Sequence, residues 1–156
     1  MKILIALGFL TTSVYGAASQ ASPVSWKLVD SIRIIENQGG RDGDGGRARG
    51  EWQFWEIAWR DVSLNYRKER GLKVYSYAYA RNHGIARMYA RDFLNLLSKR
   101  FKDEKNRYPT VKELWACWNV GLNDFLNKYR GSLSRCPAST RRNAVRIQGM
   151  VDNNKK

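Results

Sequence analysis

One stretch decides how this chain is interpreted: residues 25–38, SWKLVDSIRIIENQ. Its apolar side chains recur at helical spacing, so at about 100° per residue one face collects four of them, Leu28, Val29, Ile32 and Ile35. Ser22, Pro23 or Ser25 can start a helix here, and the pair Gly39 and Gly40 stops it. The segment therefore predicts an amphipathic helix over 25–38 that packs one side against a core.

A carboxylate lies on the core side of this helix. Glu36 projects at nearly the same angle as Val29 and Ile32, and it occupies the last turn. The negative end of the helix dipole and apolar neighbours both disfavour its ionised form, so a raised pKa is expected. A carboxyl group that keeps its proton near neutral pH suits general acid catalysis. The simpler alternative is a partly exposed glutamate paired with Arg33 or another arginine.

The rest of the chain predicts an all-α fold. Half of residues 39–50 are glycine, which indicates a loop, and a short strand pairing around 50–54 would make a small β-hairpin beside it. Further helices are expected over 55–68, 76–102, 110–119, 122–129 and from 139 or 140 to 150. Thr110 and Glu113 form a capping-box pattern. These elements make one domain over residues 22–152.

The N-terminus has the pattern of a secretory signal peptide. Lys2 precedes the short apolar run 3–10, and small residues follow at 16–19. We expect a signal peptide over 1–18, cleaved after Ala18, and a secreted or periplasmic protein. The alternative is a permanent N-terminal anchor. No later apolar run approaches membrane length, so no stable membrane insertion is expected after cleavage.

Composition narrows the partner. The chain has 156 residues, of which 28 are Lys or Arg and 14 are Asp or Glu, giving a net charge of +14. Such a charge points to nucleic acid, an acidic membrane surface or an anionic cell-wall polymer. The two cysteines, Cys117 and Cys136, could form a disulfide after export or remain buried thiols. With one histidine, His83, and no Cys-x-x-Cys pair, no metal site and no cofactor are expected.

Three short motifs resemble a known superfamily. Glu36 ends a helix, residues 50–53 read Gly-Glu-Trp-Gln, and residues 116–121 read Ala-Cys-Trp-Asn-Val-Gly. In order and spacing they are similar to the lysozyme-like superfamily, most closely to soluble lytic transglycosylases. In that type a helix ends in the catalytic Glu, Gly-x-x-Gln follows, and a later helix carries Ala-Tyr-Asn-Ala-Gly. The stretch 50–61 is also similar to invertebrate-type lysozymes. Trp118 stands in the Tyr position and Asn37 in the usual Ser position.

This resemblance implies cleavage of a β-1,4 glycan. Glu36 would protonate the glycosidic oxygen while an oxocarbenium-like centre develops. Three carboxylates near the glycine-rich loop are candidates for a second catalytic group: Asp42, Asp44 and Glu51. Of these three we choose Asp44 as the second catalytic carboxylate. The alternative is that Asp44 is a solvated carboxylate of the loop. A second carboxylate facing Glu36 permits hydrolysis. Without one, the family's transglycosylase route applies, in which the muramic 6-hydroxyl attacks intramolecularly.

The resemblance also places two amides, those of Gln53 and Asn119, in the substrate cleft. Each can donate to and accept from sugar hydroxyls and N-acetyl groups. The structural alternatives are a glutamine that stabilises its loop and an asparagine that ends a helix. Of the aromatic residues in the segment 52–59, Trp52 and Trp55 are our candidates for stacking on a sugar ring.

We therefore expect a monomeric, exported peptidoglycan-cleaving glycosidase, a lytic transglycosylase or a lysozyme, which binds glycan strands and other anionic wall polymers. The main alternative is a non-catalytic cationic wall-binding or antimicrobial protein on the same fold. A nucleic-acid partner is not expected, because the signal peptide would remove the protein from the cytoplasm.

Overall fold

The computed structural model describes residues 24–37, 39 and 41–153. Of the described residues, 72% are helical and two short strands pair in one sheet, which confirms the prediction of a mainly α fold with a small hairpin. The predicted signal peptide over 1–18 lies outside the described residues, and so does the start of the predicted domain. Within the described residues, no helix is both long enough and apolar enough to cross a membrane.

In the part of the chain that the structure describes, five α-helices and one hairpin form the frame. The helices are α1 (Trp26–Glu36), α2 (Glu56–Val62), α3 (His83–Lys105), α4 (Val111–Val120) and α5 (Ala138–Asp152). The hairpin pairs β1 (Ala48–Arg49) with β2 (Phe54–Trp55) in antiparallel fashion. Short 3₁₀ turns and two π-helical turns, Ser63–Arg67 and Asp124–Lys128, connect these elements. Helix α5 packs on α1 and α4, and α3 packs on α1, α2 and α4.

Local signals placed the helix ends well. The Ser25 side chain accepts a hydrogen bond from the Leu28 amide at 3.1 Å and caps α1. The reciprocal hydrogen bonds of Thr110 and Glu113 cap α4, as the sequence pattern predicts. Helix α1 ends at Glu36, two residues earlier than predicted, because Asn37 has extended backbone angles. The change leaves Glu36 as the final helical residue.

The prediction of one helix over 76–102 is wrong. A 3₁₀ turn, Tyr77–Arg81, comes first, and the chain then extends at Asn82. The Asn82 side chain accepts a hydrogen bond from the Ile85 amide at 3.0 Å, which starts α3 anew, and the helix continues to Lys105. An asparagine inside an otherwise helical pattern acted as a cap because its short side chain bonds the backbone locally.

Three tryptophans anchor the core. Trp52, Trp59 and Trp115 are buried, and the indole N–H of each donates to a backbone carbonyl, those of Val29, Tyr75 and Thr140 respectively. An indole N–H buried without an acceptor would destabilise the folded protein. Because each N–H is bonded, the large aromatic rings can pack in the core without that cost. Trp59 also stacks on Tyr89 with ring centroids 3.7 Å apart.

Both cysteines are buried free thiols. Burial raises the pKa of Cys117 to about 12, with Glu113 and Cys136 adding to the effect. Cys136 also has a raised pKa because it is desolvated. In this structure, therefore, the buried-thiol alternative holds rather than the disulfide.

Gly50 fixes the hairpin against the 3₁₀ turn before α3. Its φ is +68°, and a Cβ atom at this position would lie 2.1 Å from the Ala80 carbonyl oxygen. Gly71, which ends the helical segment after α2, has a similar φ of +64° but open space around the missing Cβ. A Cβ atom at Gly71 would cause backbone strain alone, whereas a Cβ atom at Gly50 would cause the same strain and a steric clash as well.

We predict that Gly50→Ala lowers the free energy of unfolding by clearly more than Gly71→Ala. The left-handed backbone alone should cost about 1 kcal/mol at either position, and only the Gly50 variant must also move the chain at Ala80. Urea denaturation of both variants measures the difference. Equal losses would show that the hairpin does not depend on this close approach.

Candidate active site at the end of the first helix

Glu36 lies in a largely water-excluded position at the C-terminal end of α1. Desolvation raises its pKa from 4.5 to about 7, and the nearby charge of Asp44 acts in the same direction. A hydrogen bond from the Trp118 indole Nε1 to Glu36 Oε1, 3.2 Å long, opposes both effects because it favours the carboxylate. The result is a carboxyl group that can both give and take a proton near neutral pH.

Trp118 is held in position by aromatic packing. It lies on α4, and its ring contacts Phe54 of β2 and Phe93 of α3, with centroids 5.2 and 5.3 Å away. The sequence motif had marked Trp118 only as a substitute for tyrosine. Its role as the hydrogen-bond partner of Glu36 was missed, although the motif spacing was the signal that could have suggested it.

The three candidates for a second carboxylate have different environments. Asp42 forms an ion pair with Arg81 and accepts from the Gly50 amide at 3.2 Å, which lowers its pKa. Glu51 contacts His83 Nδ1 at 2.5 Å and Arg33 at 3.6 Å. Asp44 is exposed, and it is the only one of the three whose charge contributes to the pKa shift of Glu36. Asp44 is therefore the candidate whose charge is coupled to Glu36.

A groove of about 1050 Å³ begins beside Trp118. It runs between α2, α3, α4 and the segment 121–127, and Gln53, Trp55 and Asn119 are among the residues that line it. Glu36 and Asp44 are not lining residues, and Glu36 is joined to the groove through its hydrogen bond with Trp118, which lines it. The structure thus brings the predicted amides and Trp55 to one surface, with Trp118 between that surface and Glu36.

The Gln53 side chain stabilises its own loop. Its amide nitrogen donates to the carbonyl oxygens of Arg41 at 2.8 Å and Gly50 at 2.7 Å. Its backbone has a φ of +49°, a strained conformation that Asp44 shares with a φ of +48°. Since both N–H groups are engaged, only the amide oxygen remains for a ligand, and that oxygen lies against Gly43. The geometry therefore agrees with the alternative in which Gln53 stabilises its loop.

Asn119 and Trp55 are accessible in the groove. The Asn119 amide oxygen accepts a hydrogen bond from Thr140 Oγ1 at 2.6 Å, and among the described residues no group accepts from its amide nitrogen. Trp55 is 43% exposed, and the guanidinium of Arg47 lies 5.4 Å from its ring centroid. Both side chains can contact a ligand without rearrangement of the core.

The prediction that Trp52 stacks on a sugar is wrong. Its side chain has no exposed surface, and its indole N–H is bonded to Val29 in α1. The hairpin turn directs this ring inward, where it closes the core beneath α1. Trp55, three residues later, is left on the outside.

Among the described residues, no group of three His, Cys, Asp or Glu side chains could hold a metal ion. No protein-family model, curated protein or solved structure matches this chain.

Removing the indole donor should raise the pKa of Glu36 further. Trp118→Phe keeps an aromatic ring but deletes the hydrogen bond to Oε1, which is worth about 1 kcal/mol, so we expect a rise of somewhat under one pH unit. Carbon-13 NMR of the labelled Glu36 carboxyl group measures it. Trp115→Phe, the same change three residues earlier on α4, is the control. A Glu36 titration that shifts equally in both variants would remove Trp118 from this role.

The raised pKa of Glu36 also predicts how stability depends on pH. Between pH 4.5 and about 7 the folded protein binds more protons at Glu36 than the unfolded chain does, so the free energy of unfolding falls as pH rises through this window. The full loss is about 3 kcal/mol at 1.36 kcal/mol per pKa unit. Urea denaturation should show this fall in the wild type relative to Glu36→Gln. Parallel profiles for the two proteins would mean that Glu36 titrates normally.

Proposed function

We propose that the chain is an exported enzyme that cleaves the β-1,4 bond between N-acetylmuramic acid and N-acetylglucosamine in peptidoglycan, with Glu36 as general acid. The observation that carries this proposal is the environment of Glu36. Its pKa of about 7 leaves roughly half of the molecules protonated at neutral pH, whereas an ordinary surface glutamate is almost fully ionised. The superfamily resemblance of the three motifs supports the same chemistry.

In the first step Glu36 transfers its proton to the glycosidic oxygen as the bond to the sugar's anomeric carbon breaks. The carboxylate that forms is stabilised by the hydrogen bond from Trp118. Positive charge develops at the anomeric carbon, and a nearby carboxylate lowers its energy. Asp44 is the candidate for that role, because it is exposed and its charge acts on Glu36.

In the second step Glu36 acts as a base. It takes a proton either from a water molecule, which completes hydrolysis, or from the sugar's own 6-hydroxyl, which closes an anhydro ring. Both routes restore the protonated Glu36. A pKa near the working pH serves both steps, since neither protonation state is then strongly disfavoured.

The groove suits a glycan strand. Asn119 offers amide donors, and the exposed face of Trp55 offers a surface for a sugar ring. The net charge of +14 attracts the protein to anionic wall polymers. A strand that occupies the groove would approach Glu36 past Trp118, where the scissile bond is expected to lie.

Glu36→Gln should abolish wall lysis and leave wall binding intact. The amide keeps the shape of the side chain but cannot donate a proton, so we expect a loss of at least about 100-fold, the usual contribution of a general acid. Turbidity loss of isolated peptidoglycan measures lysis, and co-sedimentation measures binding.

The matched control is Glu69→Gln, because Glu69 is exposed and does not line the groove. It makes the same change of charge away from Glu36 and should retain most of the lysis. If Glu36→Gln lyses as well as the wild type, Glu36 is not the acid, and the non-catalytic cationic protein becomes the better description.

A further inference from the structure

A second hollow lies on the surface between α1 and α3. It has a volume of about 450 Å³ and is lined by Trp26, Asp30 and Arg33 of α1 and by His83, Arg87 and Met88 of α3. The α1 residues are spaced four and three apart, so they form one stripe along the helix. Glu36 projects about 90° away around the same helix, so this hollow is not part of the candidate active site.

Trp26 is an exposed aromatic ring held by two cations. Its side chain is 39% exposed, and the guanidinium groups of Arg87 and Arg91 lie 4.4 and 4.5 Å from its ring centroid. Arg87 is itself held by Asp30 through two hydrogen bonds of 2.7 and 2.6 Å. The ring is therefore an apolar surface held in place between positively charged side chains. Because the ring is partly exposed, packing of the core does not explain this arrangement.

The hydrogen-bond donors of this region exceed its acceptors. Three guanidinium groups, those of Arg33, Arg87 and Arg91, are near two carboxylates, and each oxygen of Asp30 already accepts one hydrogen bond from Arg87. Arg33 reaches Glu51 only at 3.6 Å. The buried Nε atoms of Arg33 and Arg91 have no hydrogen-bond partner among the described residues. Unpartnered buried donors mark side chains that the fold does not fully satisfy. An incoming acid group can pair with the outer nitrogens of the same guanidinium groups.

We propose that this hollow binds an acidic sugar, a pyranose ring that carries a carboxylate or phosphate group. The acid group pairs with Arg33, which lines the hollow, and with Arg91, which lies beside it against Trp26, and the sugar ring contacts Trp26. The volume suits one such unit of a longer polymer. The carboxylates of Asp30 and Glu51 favour a sugar over nucleic acid, since they can accept from hydroxyl groups and repel a continuous phosphate chain. This site goes beyond the proposed function and does not depend on it.

The test is a titration of the nitrogen-15-labelled full-length protein at 0.15 M salt. The probes are β-1,4-linked tetraglucuronate, glucose 6-phosphate, and cellotetraose as the neutral counterpart. We expect the acidic probes to shift the Nε–H signals of Arg33 and Arg91 and the indole N–H signal of Trp26. Cellotetraose should leave these three signals in place.

Arg91→Gln and Trp26→Ala should each weaken tetraglucuronate binding about ten-fold. The matched control is Arg142→Gln, an exposed arginine on α5 that removes the same charge and should change binding less than two-fold. If a variant fails to fold by circular dichroism, the wild-type signals still decide the question.

Three results would overturn the proposal. The first is an equal response to cellotetraose, and the second is an equal loss of binding in Arg142→Gln, which would indicate unspecific attraction to the net charge. The third is tighter binding of an oligothymidylate through the same three signals, which would make the hollow a nucleic-acid site. Because the readout is binding and not lysis, the result is independent of Glu36 and of the proposed enzyme.

Discussion

The hydrogen bond between Trp118 and Glu36 joins the end of α1 to α4, across 82 residues of sequence. It is the contact on which the chemistry of the site depends, because Glu36 is subject to opposing effects. Desolvation and the charge of Asp44 raise the pKa of Glu36, whereas the hydrogen bond from the Trp118 indole stabilises the carboxylate and lowers it. A stronger hydrogen-bond donor than the Trp118 indole would leave Glu36 ionised like an ordinary glutamate. Without any donor, the proton of Glu36 would be harder to release. The balance leaves a group that can act as acid and as base.

The segment 41–53 is built to hold its shape with little regular structure. Asp42 is tied to Arg81, the Gln53 amide spans Arg41 and Gly50, and Gly50 packs directly on Ala80. The polar side chains that form these contacts are engaged within the protein and are not available to bind substrate. Within this segment Asp44 remains exposed, at the turn where the backbone is strained. A rigid loop that presents one free carboxylate near a proton donor is a chemically useful arrangement, because little reorganisation is needed when charge develops.

Helix α1 serves two surfaces. One face buries Leu28, Val29 and Ile32 and ends in Glu36, while the stripe that begins at Trp26 forms the hollow with α3. A protein that acts on a polymer gains from a second contact with the same strand, since the linked sites raise the effective concentration of substrate at the groove. The proposed hollow and the proposed active site share a helix, but they use different chemistry, ion pairing in the first and proton transfer in the second.

The sequence alone determined the fold class, most helix boundaries and the unusual position of Glu36, because caps, periodicity and glycine stops act over a few residues. It failed where distant segments compete for the same group. Trp52 was expected in the cleft, but the carbonyl of Val29 accepts its indole N–H and the core takes its ring. Gln53 was expected to bind sugar, but its loop uses both N–H groups. The pairing of Glu36 with Trp118, and the freedom of Asp44 compared with Asp42 and Glu51, followed only from tertiary structure. Burial and hydrogen-bond partners are set by residues far apart in the chain, and local patterns do not encode them.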